Sequence, residues 1–321
     1  MQAGSLTLLD AFSLLNAGQG EEAIGLFRQL AARNDPGALA TLGQLHWSGE
    51  LVPKSFELGR QYYQLAGDAG HHGSAVYATN LLASGLAGPR DWPAAIARLQ
   101  REAATDRARA YALALLSRMA LTANGDPQTV PQGEILSESP HVTFFRGAFT
   151  PAECAYFFEI EKPEFKRAHV LDETNGVERP DPVRTSEETG IHWLIEDPVL
   201  HAFNRRIAAM SETHVHQGEP LQILRYRPGQ QYRSHVDYLA GATNQRTKTA
   251  LLYLNDAYVG GETAFPSIGL KVKGGTGDVL LFRNALPDGK LDKASEHSGV
   301  PVLEGEKYIA TRWIRAQPHL G

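Results

Sequence analysis

The sequence predicts an α+β multidomain chain, an all-α array of helical hairpins followed by a double-stranded β-helix, or jelly roll. Three observations carry that expectation. The first 122 residues show helical apolar spacing and no alternation of strand type. Within them the chain matches itself at an offset of 36 residues, Gly37-Ala38 against Gly73-Ser74 and Ser48-Gly49 against Ser84-Gly85. Beyond residue 140 the texture changes to short β-branched and aromatic runs separated by Gly, Pro and Asn.

The length supports two units, since 321 residues exceed the usual ~150 per domain. With 42% apolar and 21% charged residues, the composition is that of an ordinary globular protein. A net charge of -5 without a basic run argues against a nucleic-acid partner. The opening MQAGSLTLLDAFSLLNAG has no basic residues and is interrupted by Asp10, and no stretch approaches 18 consecutive apolar residues. Neither a secretory signal nor a membrane span is expected. One cysteine, Cys154, has no partner for an intramolecular disulfide and reads as a packed helix residue. These features together predict a cytoplasmic protein. No feature signals an oligomeric state.

Residues 1–122 are read as the helical domain, with punctuation at Asp35-Pro36-Gly37, Gly49, Pro53, Gly70 to Gly73 and Gly85 to Pro89. A 36-residue period belongs to stacked hairpins, in which no unit buries its apolar face alone. The run ALATLGQLHWSGELVPKSFELGRQYYQLAGDAG resembles the hairpin repeats of the tetratricopeptide superfamily. Such arrays hold peptides or partner helices, or serve as stabilising appendages, and the sequence leaves both open. Residues 123–140, rich in Pro, Gly, Ser and Asn, read as a linker.

The second domain, 141–321, opens with a strand at His141 to Phe145. Thr150, Pro151 and Glu153 supply an N-cap, a first-turn proline and a first-turn acid for a helix toward Glu161. Further strands are expected near Leu221 to Arg227, Gln231 to Tyr238, Lys248 to Leu254, Leu270 to Val272, Asp278 to Arg283 and Lys307 to Ile314.

The chemistry concentrates in YRPGQQYRSHVDYL. Side chains two apart on a strand share a face, so His235 and Asp237 present an imidazole and a carboxylate together. A third ligand is available in His297, 62 positions later in ASEHSGV. Two histidines and one carboxylate leave open positions on an octahedral iron(II), whereas zinc usually fills a closed tetrahedral site. Lys307 follows ten residues after His297, on a strand able to run back through the same core. An inward lysine needs an anionic partner, because burying an unpaired ammonium is costly. A dicarboxylate such as 2-oxoglutarate supplies one. Iron(II) with one aspartate carries a single positive charge, the lysine a second, and the dianion brings the site to neutrality.

Other candidates are weaker. His214 and His216 in THVHQG share the i, i+2 spacing but lack a nearby carboxylate. His71 and His72 are sequence neighbours in a turn and do not face one another. The run Gly274 to Gly277 lacks the following helix and lysine of a phosphate loop.

From Leu221 to Arg315 the sequence resembles the catalytic domain of the prolyl 4-hydroxylases, and more loosely so from about residue 140. The family pattern Tyr-x-x-Gly-x-x-Tyr-x-x-His-x-Asp is met by Tyr226, Gly229, Tyr232, His235 and Asp237. Gln245, Arg246, Thr249, Tyr253 and Leu254 match a second run, Gly260 to Thr263 a Gly-Gly-Glu-Thr turn, and His297, Lys307 and Trp313 the distal pattern. The resemblance implies iron(II), the cosubstrates 2-oxoglutarate and dioxygen, and ascorbate as reductant. It implies that Tyr226, Thr249 and Lys307 bind the cosubstrate, and that Tyr232, Arg246 and Trp313 face the substrate. A carboxylate at position 237, where glycine or alanine would admit halide, favours hydroxylation over halogenation. Arg184-Thr185-Ser186 is similar to a family segment near the substrate mouth, but Glu187-Glu188 follow where smaller residues are expected. The implied substrate is a prolyl residue in a peptide or protein, held in part by the helical array. A free amino acid or other small metabolite, or a peptide-binding adaptor without turnover, are the alternatives.

Overall fold

The structure is a computed structural model that describes residues 6–159, 165–167, 169–171, 178–180 and 183–319. Two compact units emerge, one of Met1–Ser117, Ala123–Gly125 and Leu194–His201, the other of Arg118–Thr122, Asp126–Trp193 and Ala202–Gly321.

The first unit is helical: α1 Leu8–Asn16, α2 Gly20–Ala31, α3 Pro36–Ser48, α4 Phe56–Asp68, α5 His72–Ser84, α6 Trp92–Glu102 and α7 Arg107–Leu116. The 36-residue register is kept in the fold, because α5 begins and ends where α3 does, one period later. Both helices close on glycine in the left-handed conformation, Gly49 at φ 80° and Gly85 at φ 73°, where a Cβ would be costly. Ser55 and Asp91, again one period apart, cap α4 and α6 through their side chains. Their backbone N–H groups donate to His46 and Leu82 at 2.9 Å each. The apolar faces so aligned bury Phe27, Leu42, Tyr63, Leu81 and Leu99 almost completely. His71 caps α5 by accepting the Ser74 N–H.

The second unit is built on antiparallel strands: β1 Glu134–Glu138, β2 His141–Phe145, β3 Lys166–Arg167, β4 His169–Leu171, β5 Glu178–Pro180, β6 Glu187–Gly190, β7 Gln222–Tyr226 and β8 Tyr232–His235. They continue as β9 Arg246–Tyr253, β10 Tyr258–Gly260, β11 Thr263–Phe265, β12 Leu270–Val272, β13 Val279–Arg283, β14 His297–Gly299, β15 Val302–Gly305 and β16 Lys307–Arg315. A main sheet runs in the order β1-β2-β13-β9-β16-β7-β6-β3, and a smaller one β12-β11-β14-β8. The strands β10 with β15, and β4 with β5, form separate pairs. Alternate residues of the main sheet, Phe144, Leu224, Leu251, Leu280, Phe282 and Ile309, join Phe265 and Val272 of the smaller sheet in one buried cluster.

Two helices accompany the sheets. In α8, Pro151–Glu159, the expected cap is present: Glu153 accepts from the Thr150 N–H at 2.7 Å while Thr150 Oγ1 accepts from Glu153 N. The expected end of this helix, Glu161, lies outside the described residues. Cys154 is a buried, free cysteine on α8. The other helix, α9 Pro198–Ser211, is absent from the sequence expectation, as are β1, β3 to β6, β10, β11 and β15. Two further differences concern placement. Residues 134–138, read as linker, form β1 and pair with β2; their exposed edge gives no alternating apolar signal. Leu194–His201, within the stretch 141–321 read as one domain, belongs to the first unit, where the Asn80 side-chain N–H donates to the Leu194 carbonyl at 2.8 Å. His214 and His216 sit at a short 3-10 turn, Val215–Gln217, with a capping role for His214. Among the described residues no helix is long and apolar enough to cross a membrane.

Candidate active site and metal centre

Strand pairing brings the three presumed metal ligands together. His235 closes β8 and lies directly across from His297, the first residue of β14. Asp237 lies two residues past the end of β8, outside the strand, so strand alternation alone does not set the direction of its carboxylate. Its Oδ1 lies 3.7 Å from His235 Nε2 and its Oδ2 3.7 Å from His297 Nε2. One ligand atom from each residue falls within 4.8 Å of the others, and among the described residues this is the one cluster able to hold a metal ion.

The donor chemistry fits a divalent ion. Nδ1 of His235 is 2.8 Å from the Arg233 carbonyl and Nδ1 of His297 is 2.9 Å from the Ser295 carbonyl. A carbonyl only accepts, so each Nδ1 carries the proton and each Nε2 keeps its lone pair for metal. Burial and the neighbouring His297 push His235 down to about 4, which keeps the ring neutral. Burial also pushes the Asp237 carboxyl up, but the two imidazoles and the Thr249 hydroxyl outweigh it and hold the acid below its ordinary value. Trp313 Nε1 helps without a well-aligned hydrogen bond. Tyr232 stacks on His235 with ring centroids 3.5 Å apart and steadies the imidazole.

Lys307 lines the same pocket as His235, Asp237 and His297, together with Tyr226, Thr263, Ile309 and Trp313. It pairs across strands with Tyr226, and its ammonium lies 5.5 and 5.6 Å from the ring centroids of Tyr226 and Tyr253. Only 2% of the residue is exposed. Its Nζ donates to the Gly261 carbonyl at 2.6 Å. Burial drives the amine down to about 8, with Glu262 pulling it back up. A buried ammonium that donates to a neutral carbonyl has the charge to receive an anionic group.

Two expected residues, Thr249 and Arg246, stand differently from the expectation. Thr249 is fully buried behind the metal ligands, donating to Asp237 Oδ2 at 2.6 Å, and it is Thr263 that reaches the pocket. The Thr263 hydroxyl is 3.2 Å from the Tyr253 hydroxyl. Thr263 closes the matched Gly260–Thr263 run and is the first residue of β11. Arg246 does not extend freely toward a substrate: Glu219 holds its guanidinium through two bonds of 2.7 Å, and it stacks 4.0 Å over the Trp313 ring. Glu219, which also accepts from Arg315 at 2.5 Å, had no spacing signal and was not singled out. The acids Glu187 and Glu188, unexpected by family resemblance, are ion-paired with Arg225 and Arg184. A larger cavity of about 320 Å³, lined by Phe145, Lys248, Leu281 and Arg283, contains none of the metal-site residues.

Comparison with known proteins agrees with this geometry. Residues 221–315 match the model of the 2OG-Fe(II) oxygenase superfamily. Probable prolyl 4-hydroxylase 10 of Arabidopsis thaliana is 34% identical over 210 residues, which span 58% of this chain and 72% of that protein. The chain belongs to the prolyl 4-hydroxylase family of iron(II)- and 2-oxoglutarate-dependent oxygenases. Prolyl 4-hydroxylase 1 of the same plant is 36% identical over 201 residues, spanning 57% and 71% of the two chains. Among solved structures, the viral collagen prolyl hydroxylase of Paramecium Bursaria Chlorella virus-1 aligns with a TM-score of 0.43 and 28% identity, covering 57% of this chain and 99% of that one. Members of the family use iron(II), 2-oxoglutarate and dioxygen, and the His-Asp-His cluster supplies the ligand set such an ion needs.

Proposed function

We propose that this protein hydroxylates prolyl residues of a peptide or protein, with 2-oxoglutarate converted to succinate and carbon dioxide. The observation that carries the reading is Lys307, buried in the same pocket that His235, Asp237 and His297 line. In it, the three ligands hold iron(II), and Lys307 anchors the distal carboxylate of the cosubstrate with Tyr226 and Thr263 alongside. Bound there, iron(II) with 2-oxoglutarate and dioxygen supplies the oxidising chemistry that inserts an oxygen atom into an unactivated C–H bond. The protein positions these groups and excludes water. Tyr232 and the Arg246–Trp313 stack form the substrate side, with the indole face offered to a pyrrolidine ring. The names of the plant relatives favour a prolyl substrate. Ascorbate, typical of prolyl 4-hydroxylases, is the reductant.

In this reading the two antiparallel sheets form a jelly roll, the catalytic domain runs from about residue 141, and the helical unit is a tetratricopeptide-like array that holds an extended substrate chain. The 36-residue register of helices and capping glycines supports the array.

Succinate formation under air with iron(II) and proline-rich peptides tests the proposal. Peptide-stimulated turnover that disappears in His235→Ala is the expected result. Stimulation by free amino acids and not by peptides would replace the substrate class, and iron binding without turnover on any of them would leave an adaptor.

A further inference from the structure

We infer that Asn284 and Thr249 are positioning residues for the Asp237 metal ligand: the Asn284 amide fixes the Thr249 hydroxyl as a donor to Asp237 Oδ2, which holds the carboxylate in place between the two imidazoles. The inference rests on the iron-site reading above and deepens it. Thr249 and Asn284 are fully buried and Asp237 is 5% exposed, so the chain of contacts is shielded from water. Asn284 Nδ2 donates to Thr249 Oγ1 at 2.8 Å, and Thr249 Oγ1 donates to Asp237 Oδ2 at 2.6 Å.

The direction of this chain follows from proton counting. An ionised carboxylate only accepts, and a threonine hydroxyl has one proton to give. Once that proton points at Asp237, the oxygen of Thr249 can only accept, so Asn284 must present its NH2 and not its carbonyl. The Asn284 backbone is itself pinned, its N–H to the Thr247 carbonyl at 2.8 Å and its carbonyl to the Asp292 N–H at 3.0 Å. The register of β9 opposite β13 therefore determines where the amide sits. A charge-assisted bond on Oδ2 withdraws electron density from that oxygen and stops the carboxylate from rotating. Both carboxylate oxygens face an imidazole at 3.7 Å, Oδ1 that of His235 and Oδ2 that of His297, and the bond to Thr249 holds them in that orientation. Partners of this kind orient metal ligands and typically change metal affinity by about 10- to 100-fold when removed.

The test is anoxic iron(II) binding to the full chain by equilibrium dialysis, without 2-oxoglutarate, so that turnover plays no part. Thr249→Val should weaken binding by about 10- to 100-fold, Thr249→Ser should restore it, and Asn284→Leu should weaken it too. Because Asn284 acts through Thr249, the double variant should bind no more weakly than Thr249→Val alone. Asn284→Asp, which keeps the size but only accepts, should turn the hydroxyl away from Asp237 and weaken binding, and it serves if Thr249→Val fails to fold. Wild-type affinity in Thr249→Val or in Asn284→Asp, or losses that multiply in the double variant, would overturn the inference while leaving the iron site intact. A wild type that takes up no more iron than His235→Ala overturns the site reading itself, and the inference with it.

Discussion

Lys307 is where the electrostatics of the pocket can be weighed. Its amine, ordinarily near 10.5, is pushed to about 8 by burial, while Glu262 raises it and Lys273 lowers it further. Between pH 8 and 10.5 the folded chain therefore binds fewer protons than the unfolded chain, and stability without cosubstrate rises with pH across that window. Below pH 8 the folded protein bears the whole cost of the buried ammonium, about 3 kcal/mol. Lys307→Met should raise the unfolding midpoint at pH 7 and flatten its dependence between pH 8 and 10. The same variant should lose 2-oxoglutarate affinity by more than 100-fold. In the wild type the dianion selects the charged amine, so affinity should be level below pH 8 and fall roughly tenfold per pH unit above it. Titration calorimetry at pH 7 and 9.5 checks this; equal affinities would remove Lys307 as the anchor. The triad and this lysine were legible because each is a chemically distinctive residue at a diagnostic spacing. Thr249 and Thr263 were not separable, since both are strand threonines within matched runs, and only the folded chain brings Thr249 to the carboxylate and Thr263 to the pocket.

The helical hairpins show what the sequence encodes at the level of one element. In α5 two glycines have opposite roles. Gly85 closes the helix at φ 73°, and a Cβ there would fall 2.8 Å from Arg90 Cβ and 3.2 Å from Arg90 N. Gly73 lies in the first turn, with nothing nearer to an added Cβ than His71 Cε1 at 3.7 Å. Gly85→Ala should cost about 1–2 kcal/mol or more, whereas Gly73→Ala should stabilise by about 0.5 kcal/mol through higher helix propensity. Native-state hydrogen exchange of the α5 amides reads both, and protection unchanged by Gly85→Ala would contradict the cap argument. Helices of this kind were readable because caps and apolar period reinforce one another. The strands that escaped notice, such as β3, β10 and β11, have only two or three residues each, too few for alternation to register. The helix α9 did carry a start signal, Asp197 followed by Pro198, and Asp197 Oδ1 accepts the Leu200 N–H at 3.0 Å. The apolar residues that follow are almost all buried, which blurs the one-sided stripe that marks a surface helix.

For the whole molecule the question is whether two units behave as two. All residues assigned to metal, cosubstrate and substrate belong to the second unit. Leu194–His201, however, counts with the first unit although the chain on both sides of it belongs to the second, and a linear reading of the sequence cannot anticipate such an excursion, because domain boundaries inferred from composition are single cuts. The ligand makes a clean probe. A ligand that binds only the folded state stabilises it by RT ln(1 + [L]/Kd), about 2.7 kcal/mol at a hundredfold excess over Kd. For a domain of this size that corresponds to a rise of roughly 5–10 °C in the midpoint. Calorimetry of the full chain with a divalent metal and 2-oxoglutarate, kept anoxic, should raise the transition of the second unit by that amount and leave the helical transition in place. In His235→Ala neither should move. If instead both move together, the excursion at Leu194–His201 couples the units into one cooperative body, and ligand capture in the pocket would then stabilise the helical array as well.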